Sequence, residues 1–436
     1  MKILVLGSGG REHALLWALK RTSSAPLQLY CAPGNGGISQ LASCVPVSAA
    51  DHSSLIEFAR MNDIDLTVVG PEGPLAAGIV DQFEHAGLKI VGPSAAASRL
   101  ESSKSFAKDF MRRHKIPTAA YAIANSAAEA LDLLRGGKFG APQSPVVVKA
   151  DGLAAGKGVI VATSPAEAEV AVKELSSGTV VAAEASRQLL IEEALQGREV
   201  SLLLFADGRD YALMPAARDH KRVGDNDTGP NTGGMGAITD ASVLEAETLN
   251  AIVRDVVEPT LEGAGQEGFP FRGILFIGLM LTANGPKVLE YNVRFGDPET
   301  QAILIRLKAD LCQLFQAIVE GDLGKMSVEW SDQSSACVIL ASKGYPGPYE
   351  TGFRLSGLDR IVTGDDLQVF HAGTSRAETG DYLTTGGRVL GITAAGATLP
   401  QALGSCYRAI KKVTWEGMQY RRDIGQFNEK LKANNV

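Results

Sequence analysis

Apolar and polar positions repeat in a regular rhythm over the first hundred residues. Ile3–Leu6 is an apolar run that stops at Gly7-Ser8-Gly9-Gly10, and an amphipathic stretch from Arg11 to Lys20 follows. Leu27–Cys31 is a second apolar run, ending in Pro33-Gly34-Asn35-Gly36-Gly37. Ser53–Met61 has helical spacing. Leu66–Val69 reads as a strand before Gly70-Pro71-Glu72-Gly73-Pro74, and Leu75–Ala86 and Leu88–Val91 repeat helix and strand. Short apolar strands alternating with helices, with Gly and Pro at the strand ends, are the pattern of a doubly wound parallel sheet. The pattern predicts an N-terminal α/β domain over 1–103.

The rhythm then changes. Ser102–His114 is helical and Lys-rich. Val146–Ala150 and Val159–Ala162 read as strands joined by a Gly-rich connection, an antiparallel flap within about 120–193. Pro165–Leu175 reads as helix, Leu189–Glu193 and Val200–Ala206 as strands. Asp219–Gly236 has no periodicity, and a long loop inside a compact domain is usually functional or disordered. Leu244–Val257 is predicted helical, Ile274–Leu281 and Lys287–Tyr291 as a hairpin around Asn284-Gly285, and Glu299–Val319 as one helix. These belong to a second domain, 104–330. The tail, 331–436, holds strands at Ala336–Ala341, Val369–Ala372 and Arg388–Ala394 and a helix at Leu399–Val413, a small α+β domain.

With 436 residues the chain is long enough for several cores. Forty-two basic residues against 49 acidic ones give a net charge of −7, which argues against a nucleic-acid clamp. The five cysteines are scattered and none has C-x-x-C spacing, so neither a disulfide framework nor a Cys-based zinc site is expected. No apolar run approaches about 18 residues, so no membrane span is expected. The opening MKILVLG reads as a strand, not a signal peptide, and the cytoplasm is the expected compartment.

Four segments have chemistry in them. Gly7–His13 joins a strand to a helix, where backbone N–H groups can hold an anion. The dinucleotide fingerprint fails there because Glu12 stands where its third glycine belongs. Lys149–Gly158 joins strand to strand and lacks P-loop spacing; small residues and a lysine on a hairpin suit a lid over phosphates. Glu192, Glu193 and Glu199 lie at a strand end, where carboxylates can accept ribose hydroxyls. Glu290 and Asn292 share one strand face because side chains alternate with period two. They offer hard oxygen ligands suited to Mg²⁺, with the planar donor Arg294 beside them. No nucleophile elbow or histidine metal motif appears.

Together these pieces resemble the ATP-grasp superfamily, and within it the phosphoribosylamine–glycine ligase (glycinamide ribonucleotide synthetase) family. The likeness runs through GSGGREHAL at 7–15, APGNGG at 32–37, VGPEGPL at 69–75, KADGLAAGKGV at 149–159, DHKRVGDNDTGPNTGGMGA at 219–237 and EYNVRFGDPETQ at 290–301. In the tail it adds GYPG at 344–347, FHAGT at 370–374 and GGRVL at 386–390. The resemblance implies an ATP-dependent union of glycine and 5-phosphoribosylamine through glycyl phosphate, in de novo purine synthesis. It implies that Lys104 and Lys149 contact ATP and that Gly152, Gly156 and Gly158 form the lid. Glu192, Glu193 and Leu195 would frame adenine, and Glu199 the ribose. Glu290 and Asn292 would bind Mg²⁺ or Mn²⁺, and Arg294 would grip the glycine carboxylate or acyl phosphate. Asp219, His220 and Lys221 would meet the second substrate, and Gly9, Gly10, Glu12, Asn35 and Glu72 would line the sugar-phosphate site. No nucleic acid and no membrane partner is implied, and a monomer is expected. The insert Gly136–Ser144 departs from the family pattern without touching a motif. Rival readings are another ATP-grasp ligase or a biotin-type carboxylase, a dinucleotide-dependent oxidoreductase, and an inactive nucleotide-binding scaffold.

Overall fold

The computed structural model describes residues 1–137, 139, 144–154, 158–178 and 188–427. The first region follows the sequence rhythm closely. Its elements are β1 (Lys2–Gly7), α1 (Gly10–Thr22), β2 (Gln28–Pro33), β3 (Ser43–Cys44), α2 (His52–Met61), β4 (Leu66–Val69), α3 (Glu72–Ala76), α4 (Ile79–His85), β5 (Ile90–Val91) and α5 (Ala95–Ser102). The sheet is parallel, in the order β3-β2-β1-β4-β5. Residues of β1 alternate between two cores. Ile3 and Val5 pack with Leu15, Leu16 and Leu19 of α1, while Leu4 and Leu6 pack with Leu55 of α2 and Phe83 of α4. Burial on both faces is why these strands read as unbroken apolar runs. The helix expected over Leu75–Ala86 is two helices. Gly78, at φ +79°, breaks it with a left-handed turn that only glycine adopts readily.

The second region begins with α6 (Lys104–Arg113). A four-stranded antiparallel sheet follows, in the order β6-β9-β7-β8, from β6 (Tyr121–Ala124), β7 (Val146–Ala150), β8 (Val159–Ala162) and β9 (Leu189–Glu193). α7 (Ala127–Arg135) and α8 (Pro165–Ser176) pack on it through Ala130, Ala171, Val172 and Leu175. The β7–β8 pairing is the expected flap hairpin; the tip at 155–157, with Gly156, lies outside the described residues.

The third region is built on one large antiparallel sheet. Its strands are β10 (Arg198–Asp207), β12 (Ala217–Asp219), β15 (Gly236–Thr239), β16 (Arg272–Thr282) and β17 (Gly285–Asn292), with β11 (Tyr211–Leu213) paired on β10. The segment expected as an aperiodic loop, 219–236, contains a small hairpin, β13 (Arg222–Gly224) and β14 (Thr228–Asn231). Its turn places Asn226 and Asp227 at positive φ and its register is irregular, so no alternation marks it in the sequence. The helix expected over Leu244–Val257 starts as α9 (Ala246–Ile252). It widens into a π turn at Val253–Val257 and runs on as α10 (Glu258–Gln266). The single helix expected over Glu299–Val319 is two, α11 (Glu299–Leu304) and α12 (Leu311–Glu320). The first ends at Leu304, and Asp310 starts the second by capping its Cys312 and Gln313 N–H groups.

The tail does not close on itself. β18 (Ser334–Ser342) pairs with β15, and β22 (Arg388–Gly396) and β19 (Leu367–His371) continue the sheet, so that its order is β17-β16-β10-β12-β15-β18-β22-β19. A short hairpin, β20 (Thr374–Arg376) with β21 (Tyr382–Thr384), meets the first region where the Gly36 N–H donates to the Thr374 carbonyl, and α13 (Leu399–Ile410) packs on β18 and β22.

Candidate active site

β17 carries the centre of the cleft. Its pairing with β16 slips by one residue: Gly278 faces Glu290 and Leu279 faces Val288, so Leu289 is bulged out of the ladder. The freed Leu289 carbonyl accepts Lys149 Nζ from β7 at 3.2 Å. Burial alone would raise the Glu290 carboxyl, but the charges of Lys221, Lys149, Lys104 and Arg294 outweigh it and hold the group below its ordinary value. Four cations from four segments therefore converge on one carboxylate.

Arg294 is locked in place. Its Nη2 lies 2.8 Å from Glu101 Oε1 and 3.3 Å from Asn292 Oδ1, and its Nε lies 3.2 Å from Glu72 Oε2. Glu101 Oε2 also accepts the Val293 N–H at 2.7 Å. Glu72 thus pairs directly with Arg294. A guanidinium held by two carboxylates keeps its charge and its plane.

A second cluster lies beneath the flap. Glu192 Oε2 sits 3.0 Å from both Lys108 Nζ and Lys149 Nζ, while its Oε1 is buried with no partner among the described residues. Burial, with the Lys149 charge, pulls the Lys108 ammonium down to about 8. Glu193 turns the other way, accepting the Ala120 N–H and Lys287 Nζ. Leu195 lies half-buried in the link between β9 and β10, and Glu199 pairs with Lys221 at 3.1 Å. Lys104 Nζ donates to the Gly152 carbonyl at 2.7 Å. Asp151 accepts from Ser103 and Ser105, so the flap's base is tied to the start of α6. Gly158 closes the flap's other side by accepting the Ala150 N–H.

The first-region loops contribute less than expected. Both Glu12 oxygens are engaged, by the Gly9 N–H and by Arg11 Nε, each at 2.6 Å, and the side chain is buried. A Cβ at Gly70 would lie 2.0 Å from Glu12 Oε1. Glu12 is a strut between two loops. Asn35 is likewise occupied: its amide donates to the Ser8 and His371 carbonyls and accepts the Gly37 and Ile38 N–H groups. Gly9 and Gly10 do border the cleft wall, beside Asp297 and Gln301.

His220 requires a correction. β12 ends at Asp219, and His220 and Lys221 lie in the link before β13. The imidazole is buried under the tail, stacked on Phe427 at 4.3 Å and accepting the Gly425 N–H at Nε2. It does not face the cleft with its two neighbours.

Sequence reasoning missed Glu101, Lys108, Asp297, Glu299 and Arg388. Lys108 had a signal, since it lies one helical turn past Lys104. Asp297 and Glu299 stood inside the quoted 290–301 motif. Arg388, which binds Asp297 and the Gly233 carbonyl from the tail, stood inside the quoted 386–390 motif, whereas Glu101 has no local signal because its partner Arg294 is distant in the chain.

A flap sheet folded over a large antiparallel sheet, with lysines from both facing a strand-borne carboxylate, defines an ATP-grasp enzyme. Three family models match the chain in succession: the phosphoribosylglycinamide synthetase N domain at 1–101, its ATP-grasp (A) domain at 102–300 and its C domain at 335–427. A phosphoribosylamine–glycine ligase from Brucella melitensis is 47% identical over the whole of both chains. The crystal structure of one from Thermotoga maritima superimposes with a TM-score of 0.82 at 33% identity, covering 97% of this chain and 100% of that one. A biotin carboxylase from Campylobacter jejuni shares the fold, with a TM-score of 0.72 at 16% identity, covering 100% of this chain and 95% of that one. The chain belongs to the phosphoribosylglycinamide synthetase family.

Proposed function

We propose that this chain joins glycine to 5-phosphoribosylamine at the expense of ATP, by way of glycyl phosphate. The observation that carries the reading is the convergence of Lys104, Lys149, Lys221 and Arg294 on Glu290, a cationic cradle for a triphosphate and a second anion. Phosphoryl transfer of this kind needs positioning and charge neutralisation and no covalent enzyme intermediate. Lys104 and Lys149 hold the phosphates under the flap. Glu192, Glu193 and Leu195 border the adenine, and Glu199 the ribose. Arg294, fixed by Glu72 and Glu101, orients the glycine carboxylate and then the acyl phosphate. Asp219 and Lys221 face the incoming amine, and Gly9 and Gly10 border the sugar phosphate.

Glu290 and Asn292 fit a divalent cation. They are hard oxygen donors on one strand face, and no cluster of three or more His, Cys, Asp or Glu suited to a metal exists among the described residues. Mg²⁺ held by two protein oxygens and phosphates needs no more; when bound it would neutralise the transferring phosphoryl group. Mn²⁺ suits the same donors. No described helix is long and apolar enough to cross a membrane. The proposal includes domain limits at 103 and 330, a flap at about 120–193, and a monomer working in the cytoplasm; sedimentation tests the monomer.

ADP release with each substrate omitted in turn tests the reaction. Turnover should need both glycine and phosphoribosylamine. Robust turnover with bicarbonate in place of glycine would overturn the assignment and favour a carboxylase.

A further inference from the structure

Glu299 opens α11, and α11 packs against β12, whose last residue is Asp219. This brings two acidic side chains together on the wall of the cleft that also holds Lys221 and Arg294. Glu299 is only 5% exposed. Its carboxyl curls back over Gly296, where a Cβ would lie 2.5 Å from Oε2. Among the described residues it has no hydrogen-bond partner but its own backbone N–H. A buried carboxyl left so is costly unless a donor arrives. Burial, and after it the Asp219 charge, lifts Glu299 to about 8, and burial also raises Asp219. The Asp219 charge raises the pH at which Glu299 gives up its proton, which poises Glu299 as a base near neutral pH. The phosphate and metal roles proposed for Lys104, Lys149 and Glu290 leave this base unused.

We propose that Glu299 takes the proton from the attacking amine of the acceptor substrate, with Asp219 as the positioning partner that keeps it basic. This rests on the ligase reading above. The amine nitrogen bonds to the acyl carbon and the carbon–oxygen bond to phosphate breaks. The electron pair leaves with the phosphate, and the nitrogen's surplus proton passes to the Glu299 carboxylate. A base so placed contributes about 10²–10⁴-fold.

Hydroxylamine separates the two halves of the reaction, because it is a weakly basic nucleophile that traps an acyl phosphate with little need of a protein base. Glu299→Gln should keep glycine-dependent hydroxylamine trapping within about threefold and lower kcat with phosphoribosylamine about 10²-fold or more. Glu299→Asp should recover part of that loss. Asp219→Asn should move the acidic limb of the kcat–pH profile to lower pH. Retained turnover in Glu299→Gln, or equal loss in both assays, overturns the proposal. A raised glycine KM in the trapping assay also overturns it, assigning the pair to the glycine ammonium group. Wild-type protein that gives no glycine-dependent trapping overturns the ligase reading itself, and this proposal with it.

Discussion

The backbone N–H of His371, in the last region, donates to Nδ1 of His13, in the first helix, over 2.8 Å. The bond joins segments 358 residues apart. The His371 carbonyl also accepts Asn35, and the Gly36 N–H donates to the Thr374 carbonyl. These contacts latch the tail onto the loops of the first sheet.

The latch should weaken in acid. Burial drives His13 down to about 3 and His371 down to about 4. Unfolded, each titrates near its ordinary value of about 6.5. Above that pH both states are neutral and the histidines add no pH dependence. Below it the unfolded chain binds protons that the folded chain refuses, so stability falls with pH until the folded values are reached. The slope is roughly 1.4 kcal/mol per pH unit for each histidine. Urea unfolding between about pH 6 and about pH 4.5 measures it. His371→Gln should remove about half of the histidine contribution to that slope.

Gly37→Ala should disturb the same latch. A Cβ there would lie 2.4 Å from Cγ of the His371 ring, which is held on both sides. We expect a loss of about 1–3 kcal/mol in thermal unfolding. An unchanged midpoint would show that the ring moves aside freely.

Glu290→Gln should lower ATP turnover about 10²-fold and raise the Mg²⁺ concentration required. The change removes a charge where four cations and the transferring phosphoryl group meet. Asn292→Asp keeps the oxygen and should be milder. Turnover against Mg²⁺ concentration distinguishes them, and near-normal behaviour of Glu290→Gln would remove it from the metal site.

Glu101→Ala should cost about 3 kcal/mol of stability and raise the glycine KM. It leaves the buried Arg294 with Glu72 as its one directly bonded carboxylate and orphans the Val293 N–H. Thermal unfolding and initial rates read the two effects separately.

The legible parts of the cleft were those that local sequence specifies. Glu290 and Asn292 share a face because a strand repeats every two residues, and the flap strands flank a run of small residues. The place of His220 has no such local signal, because 220–221 lie outside any strand and the groups that hold the imidazole, Phe427 and the Gly425 N–H, come from the tail. Lys108 is legible from helical spacing, one turn past Lys104.

The sequence by itself determined the doubly wound first sheet, the flap pairing and the order of the motifs, because burial period, glycine torsions and turn residues act over a few positions. Tertiary structure alone decided three things. It joined the tail strands to the central sheet through β15 and β18. It engaged the polar atoms of Glu12 with the Gly9 N–H and the Arg11 side chain, and those of Asn35 with backbone groups. It set Arg294 between Glu72 and Glu101, and Glu299 beside Asp219. Each of these depends on burial and on charges brought together across long loops, and neither leaves a pattern in neighbouring residues.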